Sequence, residues 1–425
     1  RGWSPPNNRP RRADDSYATC RGCGVVTCQV TTAASGLFAL NGGLARFSAE
    51  DSCMEQLFTI ASLWLALAVV SALIAYHIRI SIALVEICVG VATAAVLTWL
   101  GYADFLGANQ EWIRFLAATG AVILTFLAGA ELDPDVLRTK MTEVTVVGMV
   151  SFAAPFLGCA AVAYYLLGWS AQASWLCGVA LSTTSMAVVY AVMLETGFNK
   201  TNFGKGILGA CFITDLGTVI ALGLLFSPFT YKTVVFIVAT AVVLGSLPTV
   251  THWITTVYAH RTAAIRTKWI MLVLFGLGAL ALWSGSEAVL PAYIAGMVLA
   301  GSAARDAQWI RRLRTLTVGF LTPFYFLRAG TLVSLPALLA APLVFVTLLG
   351  GKVFSKIFGL YPVIALFRRD RNERWYYTLM MSTGLTFGTI SSLFGLSHGI
   401  VTQEQYSFLV AAVIASAVVP TVIAG

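Results

Sequence analysis

The stretch GILGACFITDLGTVIALGLLF (206–226) is apolar along its whole length except for one acidic side chain near its centre, Asp215. A helix of about 20 mainly apolar residues crosses the hydrocarbon core of a bilayer. An ionisable side chain inside such a span costs at least about 2.5–3.5 kcal/mol, and aspartate is too short to reach the headgroups from the middle of a helix. The stretch therefore predicts a transmembrane helix with a functional carboxyl group.

The composition of the whole chain is that of a membrane protein. Of its 425 residues, 58% are hydrophobic and 11% are charged, whereas soluble domains carry about 25% charged residues. This composition excludes a soluble enzyme, a coiled coil and a disordered chain. We predict an all-α polytopic fold, embedded in a lipid bilayer, with about thirteen spans at 57–77, 80–100, 113–131, 144–168, 172–195, 205–226, 232–252, 269–285, 287–303, 316–333, 336–366, 375–395 and 404–425.

The basic residues of the predicted loops indicate the orientation. Alternate loops place sixteen Lys and Arg on one side of the membrane and only Arg114 and Lys232 on the other. Cytoplasmic loops collect Lys and Arg, so we expect the N-terminus outside and the C-terminus in the cytoplasm. The net charge of +8 follows from this orientation, and we expect no nucleic-acid partner.

The two ends of the chain differ from its middle. Residues 1–53 are rich in Arg and Pro and lack an apolar period, which predicts a disordered tail or an over-extended gene start before Met54. Cys20 and Cys23 form an isolated C-x-x-C without a second pair at zinc-site spacing. The last residues, AVVPTVIAG, lie inside an apolar segment, so we expect the C-terminus to be truncated.

Two of the predicted spans are interrupted at their centres. One contains Ser182-Thr183-Thr184-Ser185 and the other Ser382-Thr383-Gly384-Leu385-Thr386-Phe387-Gly388. Hydroxyl side chains compete for backbone hydrogen bonds and glycine lowers helix propensity, although small residues also serve close helix packing. Each span is the middle one of a three-span group, at 144–226 and 336–425. Interrupted helices at matching positions of two inverted repeats are typical of transporter binding sites.

Other ionisable residues also lie within predicted spans. Lys352 lies in the span before the second interruption, and Lys356 follows one turn later. We expect Lys356 to extend its ammonium group to the cytoplasmic headgroups. Glu86 and Arg328 are candidate auxiliary residues, and we consider a pairing of Arg328 with Glu86 or with a helix C-terminus.

Several stretches together resemble the sodium/proton exchanger superfamily, in the bacterial branch with potassium-efflux and NapA-like transporters. They occur in the family's order and cover nearly all of residues 54–425. The stretches are GAVILTFLAGAELD (120–133), STTS (182–185) with AVVYAVMLETG (187–197), CFITDLG (211–217), AYIAGMVLAG (292–301), PFYFLRAG (323–330), LLGGK (348–352) and STGLTFGTIS (382–391).

The resemblance implies a fold and a set of site residues. The fold is a mobile core domain, about 144–226 and 336–425, in which two broken helices cross beside a dimerisation domain. The family's ion-binding aspartate falls on Asp215, its break threonine on Thr184 and its core lysine on Lys352. Electrogenic members have two adjacent acids, whereas this chain has Thr214 before Asp215. Lys352 therefore lacks the neighbouring acid found in those members.

The resemblance also implies a secondary active transporter of a bacterial inner membrane that exchanges protons for Na⁺, K⁺ or Li⁺. One carboxylate can couple the two flows if proton and cation compete for it, with oxygen ligands of the kind that hard cations prefer. Candidate further ligands are Thr214, Thr184, Ser185 and unwound carbonyl groups.

Alternative functions remain open at this point. They are a gated potassium-efflux system of the same fold and, less favoured, a solute symporter with crossed broken helices. We expect no enzymatic activity, because no histidine pair or nucleophile motif lies at membrane depth. We also expect no cofactor, no resident metal and a homodimer.

Overall fold

The computed structural model describes the backbone of residues 42–78, 81–102, 105–130, 140–198, 201–226, 230–258, 264–286, 288–305 and 307–424. Residues from Cys53 onward form one compact unit. In these ranges ten helical stretches are long and apolar enough to cross a membrane. The predicted all-α polytopic fold is confirmed, whereas the count of thirteen crossings stays a prediction.

The described residues up to Tyr258 contain eight α-helices. A serine begins several helices of the fold, as at α5, where Ser170 accepts a hydrogen bond from the amide of Ala173. The helices are α1 (Gly42–Ile78), α2 (Ile82–Trp99), α3 (Glu111–Ala130), α4 (Met141–Ala161), α5 (Ala171–Ser182), α6 (Met186–Thr196), α7 (Asn202–Phe226) and α8 (Tyr231–Tyr258).

The described residues from Ile265 onward contain nine more α-helices. Asp370 caps the first turn of α15 by accepting from the amide of Asn372. The helices are α9 (Ile265–Ser284), α10 (Val289–Arg305), α11 (Ala307–Leu316), α12 (Thr322–Thr331), α13 (Leu335–Ala340), α14 (Pro342–Phe367), α15 (Arg371–Met381), α16 (Thr386–Ser397) and α17 (Gln403–Ala424). Two π-helical turns, Val162–Leu166 and Thr317–Leu321, extend α4 and precede α12.

Two helix boundaries differ from the sequence prediction. Helix α1 begins at Gly42, so the end of the predicted tail is helical, while residues 1–41 lie outside the described range. The predicted span 336–366 consists of two helices that separate at Ala341 (φ −135°, ψ 62°). Ala341 leaves the helical region immediately before Pro342, in agreement with the restriction that proline imposes on the preceding residue.

The helices pack in two sets. In the first, α10 packs on α3 and α12 packs on α2, with α8 beside α9 and α10. In the second, α4 lies against α5, α7 and α14, while α17 contacts α14, α15 and α16. The two sets meet where α10 packs on α7. The two interrupted spans belong to the second set, where α5 packs on α16.

Candidate functional site

The first interruption is a real break in the helix. Helix α5 ends at Ser182, and Thr183 has extended backbone angles (φ −62°, ψ 154°). Helix α6 begins at Met186 and is capped by Ser185, whose hydroxyl accepts from the amide of Val188 at 3.4 Å. The hydroxyl of Ser185 therefore serves as a helix cap.

The second interruption has the same form. Helix α15 ends at Met381 and helix α16 begins at Thr386, with no helix between them. The hydroxyl of Thr383 turns back to donate to the carbonyl of Met380 at 2.8 Å. Thr386 and Gly388, which the sequence placed in the break, lie in the first turn of α16. The break is thus shorter than predicted at its C-terminal end, because α16 already begins at Thr386.

The two breaks touch each other. The amide of Ser185 donates to the carbonyl of Thr383 at 3.2 Å, and the hydroxyl of Thr184 donates to the carbonyl of Met381 at 2.9 Å. A methyl group added at Gly384 would lie 3.0 Å from the hydroxyl of Thr183. These contacts confirm that two broken helices cross.

Asp215 lies at this crossing. Its side chain, on α7, is 2% exposed. The backbone amide of Thr184 donates a hydrogen bond to its carboxyl group. One carboxyl oxygen, Oδ1, has no hydrogen-bond partner among the described residues. The carboxyl group of Asp215 therefore faces the unwound backbone of the first break.

Thr214, beside Asp215, faces a different neighbour. Its hydroxyl donates to the carbonyl of Ala210 at 2.9 Å and to that of Gly148, on α4, at 3.2 Å. The hydroxyl proton is therefore used by backbone carbonyls of α4 and α7. Only a lone pair of its oxygen is left for a cation.

Lys356 reaches the first break from α14. Its side chain is fully buried, and its ammonium group donates to the hydroxyl of Ser151 at 2.7 Å and to that of Thr184 at 3.0 Å. It also interacts electrostatically with Asp215. The expectation that Lys356 extends to the headgroups is wrong, because its ammonium group finds oxygen acceptors inside the protein.

Lys352 lies one turn away and faces the second break. It is also fully buried, and its ammonium group has no hydrogen-bond partner among the described residues. A side chain added at Gly384 would collide with this ammonium group. The two lysines thus divide between the breaks: Lys352 is next to Gly384, and Lys356 is next to Thr184 and Asp215.

The sequence analysis missed two residues that contact the site or its helix. Ser151, on α4, accepts the bond from Lys356. Tyr293, on α10, donates from its hydroxyl to the carbonyl of Phe212 at 3.1 Å, and its ring stacks on that of Phe212 at 5.3 Å. Both residues could have been found from the sequence, because each is a polar residue in the middle of an apolar span.

Glu86 and Arg328 lie in the first helix set. Glu86 is buried on α2. Arg328, on α12, donates from Nε to the carbonyl of Ala108 at 2.8 Å. Among the described residues the two form no ion pair, so the pairing considered from the sequence is wrong. Arg328 instead holds the loop before α3.

The crossed breaks, with one buried carboxyl group and two buried lysines, can be compared with known families. Residues 55–425 match the family described as sodium/hydrogen exchanger, transmembrane. The chain belongs to this family. The match covers the spans from α1 to the C-terminal helix and confirms the family resemblance and the multi-pass membrane character of this exchanger-family protein.

Individual relatives agree with the family assignment. The exchanger-family chain is 24% identical over 330 residues to "Probable Na(+)/H(+) antiporter 3" of Methanocaldococcus jannaschii, covering 74% of this chain and 84% of that protein. It is 26% identical over 319 residues to the Na(+)/H(+) antiporter NhaS5 of Synechocystis, which covers 71% of this chain and 43% of that protein. The glutathione-regulated potassium-efflux protein KefC of Cronobacter sakazakii is 23% identical over 340 residues, with 74% and 53% covered. The chain therefore spans about half the length of the last two relatives.

A solved structure has the same fold. The sodium proton antiporter MjNhaP1 of Methanocaldococcus jannaschii superimposes with a TM-score of 0.63 at 14% identity, covering 87% of this chain and 96% of that chain. At this identity the likeness establishes the fold alone.

Proposed function

We propose that this protein exchanges protons for a monovalent cation, Na⁺ or K⁺, and that both bind in turn to Asp215. The observation that carries the proposal is the position of this buried carboxyl group: one oxygen is held by the Thr184 amide and the other has no partner. The antiporter names of the relatives support the same activity. Break carbonyls and the hydroxyl of Thr184 supply the oxygen ligands that a hard cation needs.

In this proposal, competition for one carboxylate couples the two flows. A buried, unpaired carboxylate is costly, so Asp215 is stable when it is protonated or when a cation neutralises it. Proton and cation exclude each other because both occupy the free oxygen. The site changes its exposure from one side of the membrane to the other when Asp215 holds a proton or a cation, and these two movements together give exchange. The same change with an empty carboxylate is disfavoured.

Lys356 balances the carboxylate while the site holds no cation. Its ammonium group is fixed by Ser151 and Thr184 and interacts with Asp215, so an entering cation competes with it for the same negative charge. The family resemblance assigns the role of charge partner to Lys352. In our proposal its ammonium group compensates the partial negative charge at the C-terminal end of α15.

We further propose alternating access by movement of the second helix set against the first. The second set corresponds to the predicted core, 144–226 and 336–425, and the first to a scaffold and dimerisation domain. The bond from Tyr293, on α10, to the carbonyl of Phe212, on α7, joins the two sets and must break when the core moves. The proposal includes a homodimer in a bacterial plasma membrane, with the N-terminus outside and the C-terminus inside.

A potassium-efflux function is the second candidate. The 23% identity to KefC over 340 residues supports K⁺ as the transported cation in the same way as the names of the antiporter relatives support Na⁺. Both candidates use the same carboxyl group and differ in the cation that it prefers.

The test is transport in proteoliposomes with a pH-sensitive dye inside and Na⁺, K⁺ or Li⁺ added outside in turn. The proposal expects proton movement with at least one of these cations and none with Asp215→Asn, because an amide cannot exchange a proton for a cation. Glu111→Gln, a change at the exposed start of α3, is the matched control and keeps exchange. Equal exchange by Asp215→Asn contradicts the proposal.

A further inference from the structure

Two sulfur atoms lie in the wall of the cation site. The thiol of Cys211, on α7, is 3.6 Å from the thioether sulfur of Met381, the last residue of α15. Both side chains are fully buried. The exchange of hard cations through oxygen ligands makes no use of this pair.

The pair is connected to the transport carboxyl group in two ways. Cys211 precedes Asp215 by four residues on one helix, which places both on the same face, and the two groups interact electrostatically. Met381 contributes the carbonyl that accepts from Thr184. The unpartnered oxygen of Asp215 therefore lies one helical turn from two soft ligands.

We propose that Cys211 and Met381 form a binding site for thiophilic monovalent metal ions such as Ag⁺ and Cu⁺, and that an ion bound there blocks exchange. The inhibition of exchange rests on the proposed function, whereas the binding of the metal ion rests on the sulfur pair alone. Thiolate and thioether ligands select soft monovalent ions over Na⁺ and K⁺. Soft monovalent ions, which carry the same charge as the transported cation, would thus bind beside the transport site and inhibit exchange.

The geometry needs a small adjustment. Metal–sulfur bonds of about 2.3 Å, as in zinc sites, require the two sulfur atoms to move apart by about 1 Å. The unbranched side chain of Met381 has three rotatable bonds and adapts to such a change.

The binding step balances in atoms and charge. The S–H bond of Cys211 breaks, an S–Ag bond forms, and the released proton passes to the carboxylate of Asp215. No electron is transferred. The product holds a neutral silver thiolate beside an Asp215 that has become protonated, so the carboxyl group keeps this proton while the bound silver blocks the entry of a transported cation.

The test uses Ag⁺ in chloride-free buffer and the full chain in a background without the cysteines at 20, 23, 28, 53 and 88. Exchange is measured against Ag⁺ concentration for this background, for Cys211→Ser and for Met381→Leu. A Cys159→Ala/Cys177→Ala variant is the matched control, because these two thiols are also fully buried in the core. Each inhibited rate is compared with that variant's own uninhibited rate.

We expect the half-inhibiting Ag⁺ concentration to rise by at least about tenfold in Cys211→Ser and in Met381→Leu, since loss of a residue that supports a metal site costs about 10- to 100-fold in affinity. The control should match the background. Equal inhibition of Cys211→Ser and the background overturns the proposal, and so does loss of inhibition in the control.

Silver binding to the purified protein in detergent is measured in parallel by elemental analysis after gel filtration. If the background protein carries no exchange with any cation, the proposed function fails, but weaker silver binding by Cys211→Ser still supports the sulfur site. Equal silver binding by both proteins overturns the site independently of transport.

Discussion

The ammonium group of Lys356 lies 3.0 Å from the hydroxyl of Thr184, and Thr184 in turn donates its amide to Asp215. One break residue therefore connects the buried cation to the buried anion. Thr184 also donates its hydroxyl to Met381 at the end of α15, so the same residue joins the two breaks. Lys356, Thr184, Asp215 and Met381 are thus linked by direct interactions, and a substitution at one of them alters the surroundings of the others.

Lys356→Met should stop exchange or weaken it severely, because it leaves the carboxylate of Asp215 without its balancing charge. A buried charge that loses its nearby counter-charge is costly. Lys352→Met is the comparison variant, one turn away on the same helix and equally buried, and should lower exchange less, because Lys352 faces the second break and not Asp215. Proteoliposome assays of both variants decide the point; loss of exchange in Lys352→Met with retention in Lys356→Met would reverse the assignment.

Thr184→Ala should raise the half-saturating cation concentration by about tenfold or more while the maximal rate changes less. In the proposal this hydroxyl is one of the oxygen ligands of the cation, and contacts of this kind with charged groups contribute about 1.5–3 kcal/mol. Thr184→Ser restores the hydroxyl and should restore the affinity. An unchanged half-saturating concentration in Thr184→Ala would remove its hydroxyl from the site.

Gly388→Ala should destabilise the protein and reduce exchange. The new methyl group would lie 2.8 Å from the carbonyl of Ala180, on α5, and would push α16 away from α5 at the crossing. Gly350→Ala, where the new methyl group meets nothing closer than 3.8 Å, is the control. Thermal unfolding in detergent measures both; equal stability of the two variants would mean that the crossing tolerates expansion.

Exchange should move no net charge across the membrane. By the family resemblance, Thr214 stands where electrogenic members have a second acid, so in the proposed function Asp215 alone releases one proton for each monovalent cation. The measurement is the transport rate under an imposed membrane potential, which acts on each moved charge with about 2.3 kcal/mol per 100 mV. A rate that follows the voltage would show that a second group, with Lys356 the nearest, also releases a proton.

The sequence predicted the parts of this fold that depend on hydrophobic length and on rare polar residues. Asp215 stood out because it was the only acid in its span, and the two breaks stood out as clusters of hydroxyl and glycine residues. Both features are local, so one chain segment suffices to find them. The boundary at Ala341 was missed because the apolar character continues through it.

The partners of the buried lysines depended on contacts distant in sequence. Lys352 and Lys356 belong to a buried i, i+4 row on α14 with Leu348, Leu360 and Ile364. Which break each lysine faces depends on how α14 packs against α4, and no local pattern contains that information. Ser151 was missed for the same reason, since its importance comes from a lysine 205 residues away.

The most direct test of the central claim is proton release on cation binding to the purified protein. A weakly buffered sample with a pH dye is titrated with the cation that supports transport, for the unchanged protein and for Asp215→Asn. The account predicts release of one proton per bound cation by the unchanged protein and none by Asp215→Asn. Undiminished proton release by Asp215→Asn would show that a different group exchanges its proton for the cation, and would contradict the account.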